Sequence, residues 1–255
     1  MQIKIRHWFI SLVTIGALLM GGCSTPQAAS NASQASPASE KTSVPATPIT
    51  QANNPPMSNL PRLEGKATIA MTVKDKGPIT IELDGTNAPI TAGNFVDLVQ
   101  RGVYDGLAFH RVIRTPQPFV AQGGDPQGKD PKFPVGQLGT GSFIDPATSQ
   151  PRYIPLEIKP TGSDSPVYSK TLKSAGVSQP PVLQHKRGAI AMARSQSPDS
   201  ASSQFYFALA DLSFLDGDYA VFGSVTQGMD VVDKIQQGDR IESAKVTEGA
   251  DNLKK

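Results

Sequence analysis

A chain of 255 residues suggests one sizeable domain with appendages, or two small ones, and a formal net charge of +2 gives no electrostatic footprint for nucleic acid. One cysteine excludes an intrachain disulfide and a zinc site built on thiolates. The three histidines, His7, His110 and His185, lie far apart in sequence and form no helical pair, so no metal or other cofactor is expected.

Lys4, Arg6 and His7 make a basic start. Trp8 to Met20 is then an apolar run, too short for a comfortable membrane span and of the length of a signal-peptide core. Met20-Gly21-Gly22-Cys23 follows, with small residues before the lone cysteine. This pattern resembles a bacterial lipobox, with Met20 where leucine is commoner. The resemblance implies a signal peptide over residues 1–22, cleavage before Cys23, and a lipid anchor (palmitate among its chains) on Cys23. A plain secretory signal with an incidental cysteine is the other reading. Residues 23–61 are rich in Ala, Ser, Pro, Gln and Thr, with no aromatic residue and only Glu40 and Lys41 charged up to Leu60. Such a segment has too little apolar surface to offset its ordering entropy, so a disordered linker is expected there. A folded domain is expected over 62–250, with a tail at 251–255.

Within the domain, Ile69, Met71 and Val73 alternate with Thr68 and Thr72, and Ile79, Ile81 and Leu83 alternate beyond the turn signal Asp75-Lys76-Gly77. The period of two predicts a β-hairpin. Thr91 is expected to cap a helix carrying Phe95, Leu98 and Val99, with Gly102 as its C-terminal stop. Tyr104-Asp105-Gly106 turns into a strand predicted over Leu107 to Ile113. From Asp125 to Pro151 the Gly and Pro content predicts long loops, and Pro160 to Pro181 reads as an inserted loop. Strands are predicted over Gly188 to Ala193, Phe205 to Ala210, Tyr219 to Val225 and Ile241 to Val246, with a short helix over Met229 to Ile235. The expected fold is mostly β: a closed eight-stranded antiparallel β-barrel capped by two α-helices.

Phe109 to Asp125 carries the chemistry. It sets the guanidinium of Arg111 on an apolar strand, with the amide of Gln122 after a short loop. Met192-Ala193-Arg194 and Ser203-Gln204-Phe205-Tyr206 repeat the mixture. Such a surface suits gripping a peptide by one apolar side chain and its flanking amides. Each residue also has a plainer reading. Arg111 could form a rim ion pair, Gln122 and Gln204 could satisfy strand edges, and Phe119, Tyr206, Phe214 and Leu215 could be core. His110 reads as structural, facing away from Arg111 on the strand. Gly123-Gly124-Asp125 reads as a turn, and no GxSxG elbow is present.

Four blocks in order carry a resemblance: Phe109-His110-Arg111-Val112-Ile113; Phe119-Val120-Ala121-Gln122-Gly123-Gly124-Asp125; Gly188 through Tyr206; and Phe214-Leu215-Asp216-Gly217 with Val221-Phe222-Gly223. From about Ala67 to Val246 the chain resembles the cyclophilin-type peptidyl-prolyl isomerases. The resemblance implies that Arg111 is catalytic and that Phe119, Val120, Tyr206 and Leu215 line a proline pocket. Gln122 would contact the substrate backbone. Ala193, Arg194 and Gln204 would hold the residues before the proline, and Phe214 and Tyr219 would form the rim. The chain departs from the best-known members at Val120 (methionine), Tyr206 (phenylalanine), Arg194 (asparagine), Phe214 (tryptophan) and Tyr219 (histidine), and its loop between Arg111 and Gln122 is longer. Without the indole N–H at Phe214, weak inhibition by cyclosporin is expected. Rotating an X–Pro bond costs about 18–20 kcal/mol because amide resonance is lost, and no bond to carbon breaks, so no nucleophile or metal is required. The expected partners are proline-containing polypeptides and, through Cys23, a membrane of the bacterial cell envelope, with the monomeric domain facing the periplasm or exterior. A catalytically weak binding module on the same fold is the alternative.

Overall fold

The computed structural model describes residues 56–255. The expected signal peptide, the lipidated Cys23 and the linker up to residue 55 lie outside the described residues. No helix among the described residues is long and apolar enough to cross a membrane.

Eight strands form the main antiparallel sheet: β1 (Lys66–Val73), β2 (Gly77–Asp84), β3 (Arg111–Val112), β4 (Val120–Gly123), β5 (Ala189–Met192), β6 (Phe205–Ala208), β7 (Val221–Gln227) and β8 (Ile241–Glu248). Their order is β8-β1-β2-β7-β5-β6-β4-β3. The predicted hairpin is β1–β2, in register from Lys66↔Asp84 to Val73↔Gly77. Its alternation turns Ile69, Met71, Val73, Ile79, Ile81 and Leu83 fully inward. Irregular register between β8 and β1, β2 and β7, and β7 and β5 bends the sheet into a curl.

The curl does not close. The edge strands β8 and β3 share no ladder, so the sheet is a half-barrel rather than the closed barrel expected from the sequence. The segment before β3 explains the difference. Instead of lying along β4, Leu107 to Phe109 turns toward residues 238–241: the Phe109 N–H donates to the Asp239 carbonyl, the Ile241 N–H donates to the Leu107 carbonyl, and Ala108 forms a lone bridge with Arg240. The strand expected over Leu107 to Ile113 is thereby cut to Arg111–Val112.

Helix α1 (Pro89–Gln100) covers the concave side, and its residues from Ile90 to Val99 are all buried. Phe95 packs against Tyr104, Phe205 and Phe222, with ring centroids 4.7, 5.3 and 5.2 Å away. Thr91 is not the cap. The helix starts at Pro89, whose missing N–H costs nothing at that position. The next free donors are taken from a distance, by a buried carboxylate: Glu157 accepts the N–H of Ile90 at 3.1 Å, the N–H of Thr91 at 2.7 Å and the Thr91 hydroxyl at 2.8 Å. Burial raises the Glu157 carboxyl pKa, against those hydrogen bonds. At the other end Gly102 takes the left-handed conformation, φ 64°, and its N–H donates to Val99 while that of Val103 donates to Leu98, closing the helix as expected. The second helix, α2 (Met229–Lys234), buries Val231 and Val232.

Between β4 and β5 the regular elements are short 3-10 turns and two-residue strand pairs, and buried carboxylates tie the segment together. Asp125 accepts the N–H groups of Gln127, Gly139 and Gly141, at 2.9, 2.6 and 3.0 Å. Gly141 is obligatory, because a Cβ there would meet the Asp125 carboxylate. Pro160 and Pro181 bridge to each other, so the insertion leaves and returns at one point. It is packed down: Val167–Tyr168 pairs with Glu157–Ile158, and buried Leu172 joins Leu156, Ile158 and Ala220. The last residues also belong to the fold. Leu253–Lys254 pairs with Arg62–Leu63, and the Lys255 ammonium lies 2.7 Å from buried Asp97. Burial alone would raise the Asp97 pKa, yet hydrogen bonds from Lys255, Arg152 and Arg101 outweigh it and hold the carboxyl below its ordinary value.

Candidate functional site

On β4, β5 and β6 alternate residues face opposite sides. Ala121, Phe205, Phe207, Ile190 and Met192 join the main core, while Val120, Tyr206, Ala208, Ala189 and Ala191 form a second apolar cluster on the outer face. Phe119, Ala193 and Leu215 pack at the edge of this second cluster. The ladder then fixes the neighbours: Arg111 pairs with Gln122, Gln122 with Tyr206, and Tyr206 with Ala191. Side chains directly opposite across antiparallel strands share a face. Arg111 and Gln122 therefore border an apolar floor made by Tyr206 and its neighbours.

Arg111 is exposed on the edge strand. Its Nη1 donates to Gln122 Oε1 at 3.3 Å, and its guanidinium carbon lies 5.5 Å from the centroid of the Phe119 ring. Gln122 Nε2 donates to Gln204 Oε1 at 3.2 Å, and Gln204 Nε2 to the Gly141 carbonyl at 2.9 Å. The two amides thus connect the guanidinium to the loop tied down by Asp125. Phe119 stacks on Phe214 with centroids 6.0 Å apart. Phe214 is 69% exposed, an apolar ring held at the rim rather than in the core.

The floor has a polar underside that the sequence did not announce. The Tyr206 hydroxyl lies 2.9 Å from His185 Nε2, and His185 Nδ1 lies 2.8 Å from Asp216 Oδ1. The His185 backbone N–H also donates to that carboxylate. Burial lowers the His185 pKa despite the hydrogen bond and charge of Asp216, so the ring is neutral, with Nδ1–H donating to Asp216 and Nε2 accepting from Tyr206. Burial likewise pushes the Tyr206 phenol far above its ordinary range. His185 and Asp216 had no local pattern to mark them, since they are 31 residues apart.

Beside the floor lies a cavity of about 370 Å³, bounded by Gln122, Gln204, Ala193 and Arg194 on one side and by Thr140 to Ser142, Tyr153 and Ser200 on the other. The Arg194 guanidinium sits 4.6 Å over Tyr219, and Tyr219 meets Tyr206 edge to face. All eleven residues of the expected site that fall in the domain, from Arg111 to Tyr219, therefore border one continuous surface. His110 is buried beneath it, and burial lowers its pKa. Among the described residues no group of three His, Cys, Asp or Glu side chains could hold a metal ion. Chemically, the surface offers a fixed cationic donor beside an apolar floor, with amides alongside to meet a peptide backbone.

Residues 68–254 match the family model for cyclophilin type peptidyl-prolyl cis-trans isomerase/CLD. The chain is 46% identical over 206 residues to a putative thylakoid lumen peptidyl-prolyl cis-trans isomerase of Synechocystis, covering 77% of this chain and 51% of that one. It is 37% identical over 180 residues to a peptidyl-prolyl cis-trans isomerase of Helicobacter pylori, covering 70% of this chain and 86% of the relative. The chain spans about half the length of some of the relatives it matches, among them the Synechocystis protein and, at 45%, a chloroplastic isomerase of Arabidopsis thaliana. In fold it is similar to a crystal structure of a cyclophilin from Cryptosporidium parvum, with TM-score 0.53 and 22% identity over 72% of this chain and 98% of that one. The chain belongs to the cyclophilin-type peptidyl-prolyl cis-trans isomerase family.

Proposed function

We propose that this chain isomerises prolyl peptide bonds in exported polypeptides. The observation that carries the reading is Arg111, a permanently charged donor beside the floor of Val120 and Tyr206. The proline ring rests on that floor, framed by Phe119, Leu215 and Phe214. Gln122 meets the substrate backbone, and Ala193, Arg194 and Gln204 hold the residues ahead of the proline. As the amide twists, its nitrogen becomes pyramidal and accepts a hydrogen bond from Arg111. A preformed donor aimed at a lone pair that appears only in the twisted state lowers the barrier without binding the ground state more tightly. A rate gain of about five decades corresponds to about 7 kcal/mol, of which one such donor supplies about 3–4 kcal/mol.

The test is isomerisation of a short Ala-Pro peptide by the wild type and by Arg111→Ala, followed by NMR exchange. The expected loss in kcat/KM is about 10²–10³-fold, with the unfolding midpoint nearly unchanged because Arg111 is exposed and makes one long hydrogen bond. Equal rates for the two proteins overturn the enzymatic reading and leave a proline-binding module.

Location rests on the N-terminal pattern. Lipidation of Cys23 tethers the monomeric domain through the linker to a membrane of the cell envelope. The name of the Synechocystis relative, a thylakoid lumen isomerase, supports a protein that works outside the cytoplasm. Cys23→Ser is expected to release the protein from membranes. Membrane association that survives the substitution refutes the anchor.

A further inference from the structure

We infer that the cavity beside the proline floor selects substrates with an acidic side chain two or three residues ahead of the proline, and that Arg194 is the residue that selects them. This rests on the isomerase reading above and goes beyond it by naming a substrate class.

The cavity is lined mainly by residues with polar side chains. Of its twelve lining residues only Ala193 is aliphatic, and none is a carboxylate. Hydroxyls dominate: Thr140, Ser142, Tyr153, Ser195, Ser200 and Ser202 all border the space. Tyr153 accepts from Ser142 at 3.4 Å, which leaves its own hydrogen free to meet an anion.

Arg194 supplies the charge. Its Nε and Nη2 donate to the Asp218 carbonyl at 3.1 and 2.7 Å, and its Nη1 to the carbonyls of Ser195 and Gln196 at 2.8 and 3.2 Å. These contacts, with Tyr219 beneath, fix the guanidinium in place. Every acceptor is a neutral carbonyl, so the positive charge is held but not cancelled. Arg194 forms no ion pair among the described residues, whereas Arg101, Arg152 and Arg187 all do. Asp216 is engaged by His185, Asp199 accepts the Leu156 N–H, and Asp218 meets the guanidinium through its backbone carbonyl. Among the described residues Arg111, at the other end of the same surface, meets the Gln122 amide and the Phe119 ring and forms no ion pair. A substrate carboxylate entering the cavity thus meets the preordered Arg194 guanidinium and the free hydrogen of Tyr153, whereas a substrate ammonium is repelled by the same guanidinium.

The experiment compares peptides Ala-Xaa-Ala-Pro-Ala and Xaa-Ala-Ala-Pro-Ala, with Xaa as Glu, Gln or Lys, on the full chain. The readout is the ratio of kcat/KM for Glu over Gln within one protein, so a general change in activity cancels. A partly exposed ion pair predicts a ratio of about two to five at one of the two positions, with Lys below Gln. The ratio falls toward one in about 0.5 M salt, where screening acts within a few ångströms. Arg194→Gln removes it. Equal Glu and Gln rates at both positions overturn the inference, as does a Glu advantage that survives Arg194→Gln. If Arg194→Gln does not fold, the salt dependence of the unmodified protein decides: an advantage indifferent to salt refutes the role of the guanidinium. If no peptide is isomerised at all, the isomerase reading fails separately. Titration calorimetry with the same peptides then decides the selectivity, tighter binding of Glu than Gln supporting it and equal binding refuting it.

Discussion

Tyr206→Phe isolates the polar underside of the cleft. The ring stays, so the apolar floor keeps nearly its full area, and only the hydroxyl is lost. That hydroxyl is the partner of His185 Nε2 at 2.9 Å, and His185 is 1% exposed. Water does not reach the nitrogen to replace the missing donor. Leaving a buried acceptor unpaired costs about 1–3 kcal/mol, against about 1 kcal/mol for an ordinary hydrogen bond lost where solvent can substitute. For a domain of this size each kcal/mol shifts the unfolding midpoint by about 2–4 °C, so the expected drop is about 2–12 °C. The assay is thermal unfolding followed by circular dichroism, with a urea titration alongside whose unchanged slope confirms that only stability has changed. A double-mutant cycle with His185→Leu completes it. The two changes remove one interaction, so their combined cost falls short of the sum by about 0.5–3 kcal/mol. A Tyr206→Phe protein as stable as the wild type, or a cycle that adds without coupling, refutes the Asp216–His185–Tyr206 chain.

Glu157→Gln is expected to lower stability by about 1–3 kcal/mol in urea unfolding, because an amide NH₂ then faces the helix donors of Ile90 or Thr91. Stability is also expected to fall with acid in a defined window. Burial lowers the pKa of both His110 and His185 below the ordinary 6.5, so above 6.5 neither folded nor unfolded chain is protonated there. As the pH falls through 6.5 the unfolded chain takes up protons that the folded chain refuses, and stability drops until the folded pKa is reached. A urea midpoint equal at about pH 7.5 and about pH 5 refutes this. Cyclosporin is expected to inhibit isomerisation weakly, and Phe214→Trp, which restores an indole donor at an exposed rim position, to tighten inhibition. Nanomolar inhibition of the unmodified protein sinks the argument.

Local periodicity made much of this molecule readable. The β1–β2 hairpin follows from alternation alone, because one face of each strand is buried throughout. Gly102 could be read as a stop because a left-handed residue is a local requirement. What escaped was set by distance. The α1 donors are satisfied by Glu157, more than sixty residues on, so Thr91 looked like a cap when it is one of the capped. Leu107 to Ile113 alternates like a strand, but residues 238–241 claim its first half. Closure of a sheet depends on the meeting of edges distant in sequence, and the pattern of either edge is silent about the other. The same holds at the site. Arg111 and Gln122 can be placed together by reading one hairpin, whereas the contact of Gln204 with Gly141 and the pairing of His185 with Asp216 depend on the packed loops.

An open half-barrel carries a hazard that closed sheets avoid, since unpaired edges can template another chain. Here the hazard is contained at both ends of the sheet. Strand β3 is only two residues long, too short to nucleate pairing, and β8 has its Ala244 N–H claimed by Asp105 and its start covered by Leu107. The seam that stays open lies where Arg111 stands. A partner strand on that side would have fenced the guanidinium in. A short edge with a charged residue on it offers an incoming strand little to pair with, so Arg111 stays exposed without turning the edge of the sheet into a template.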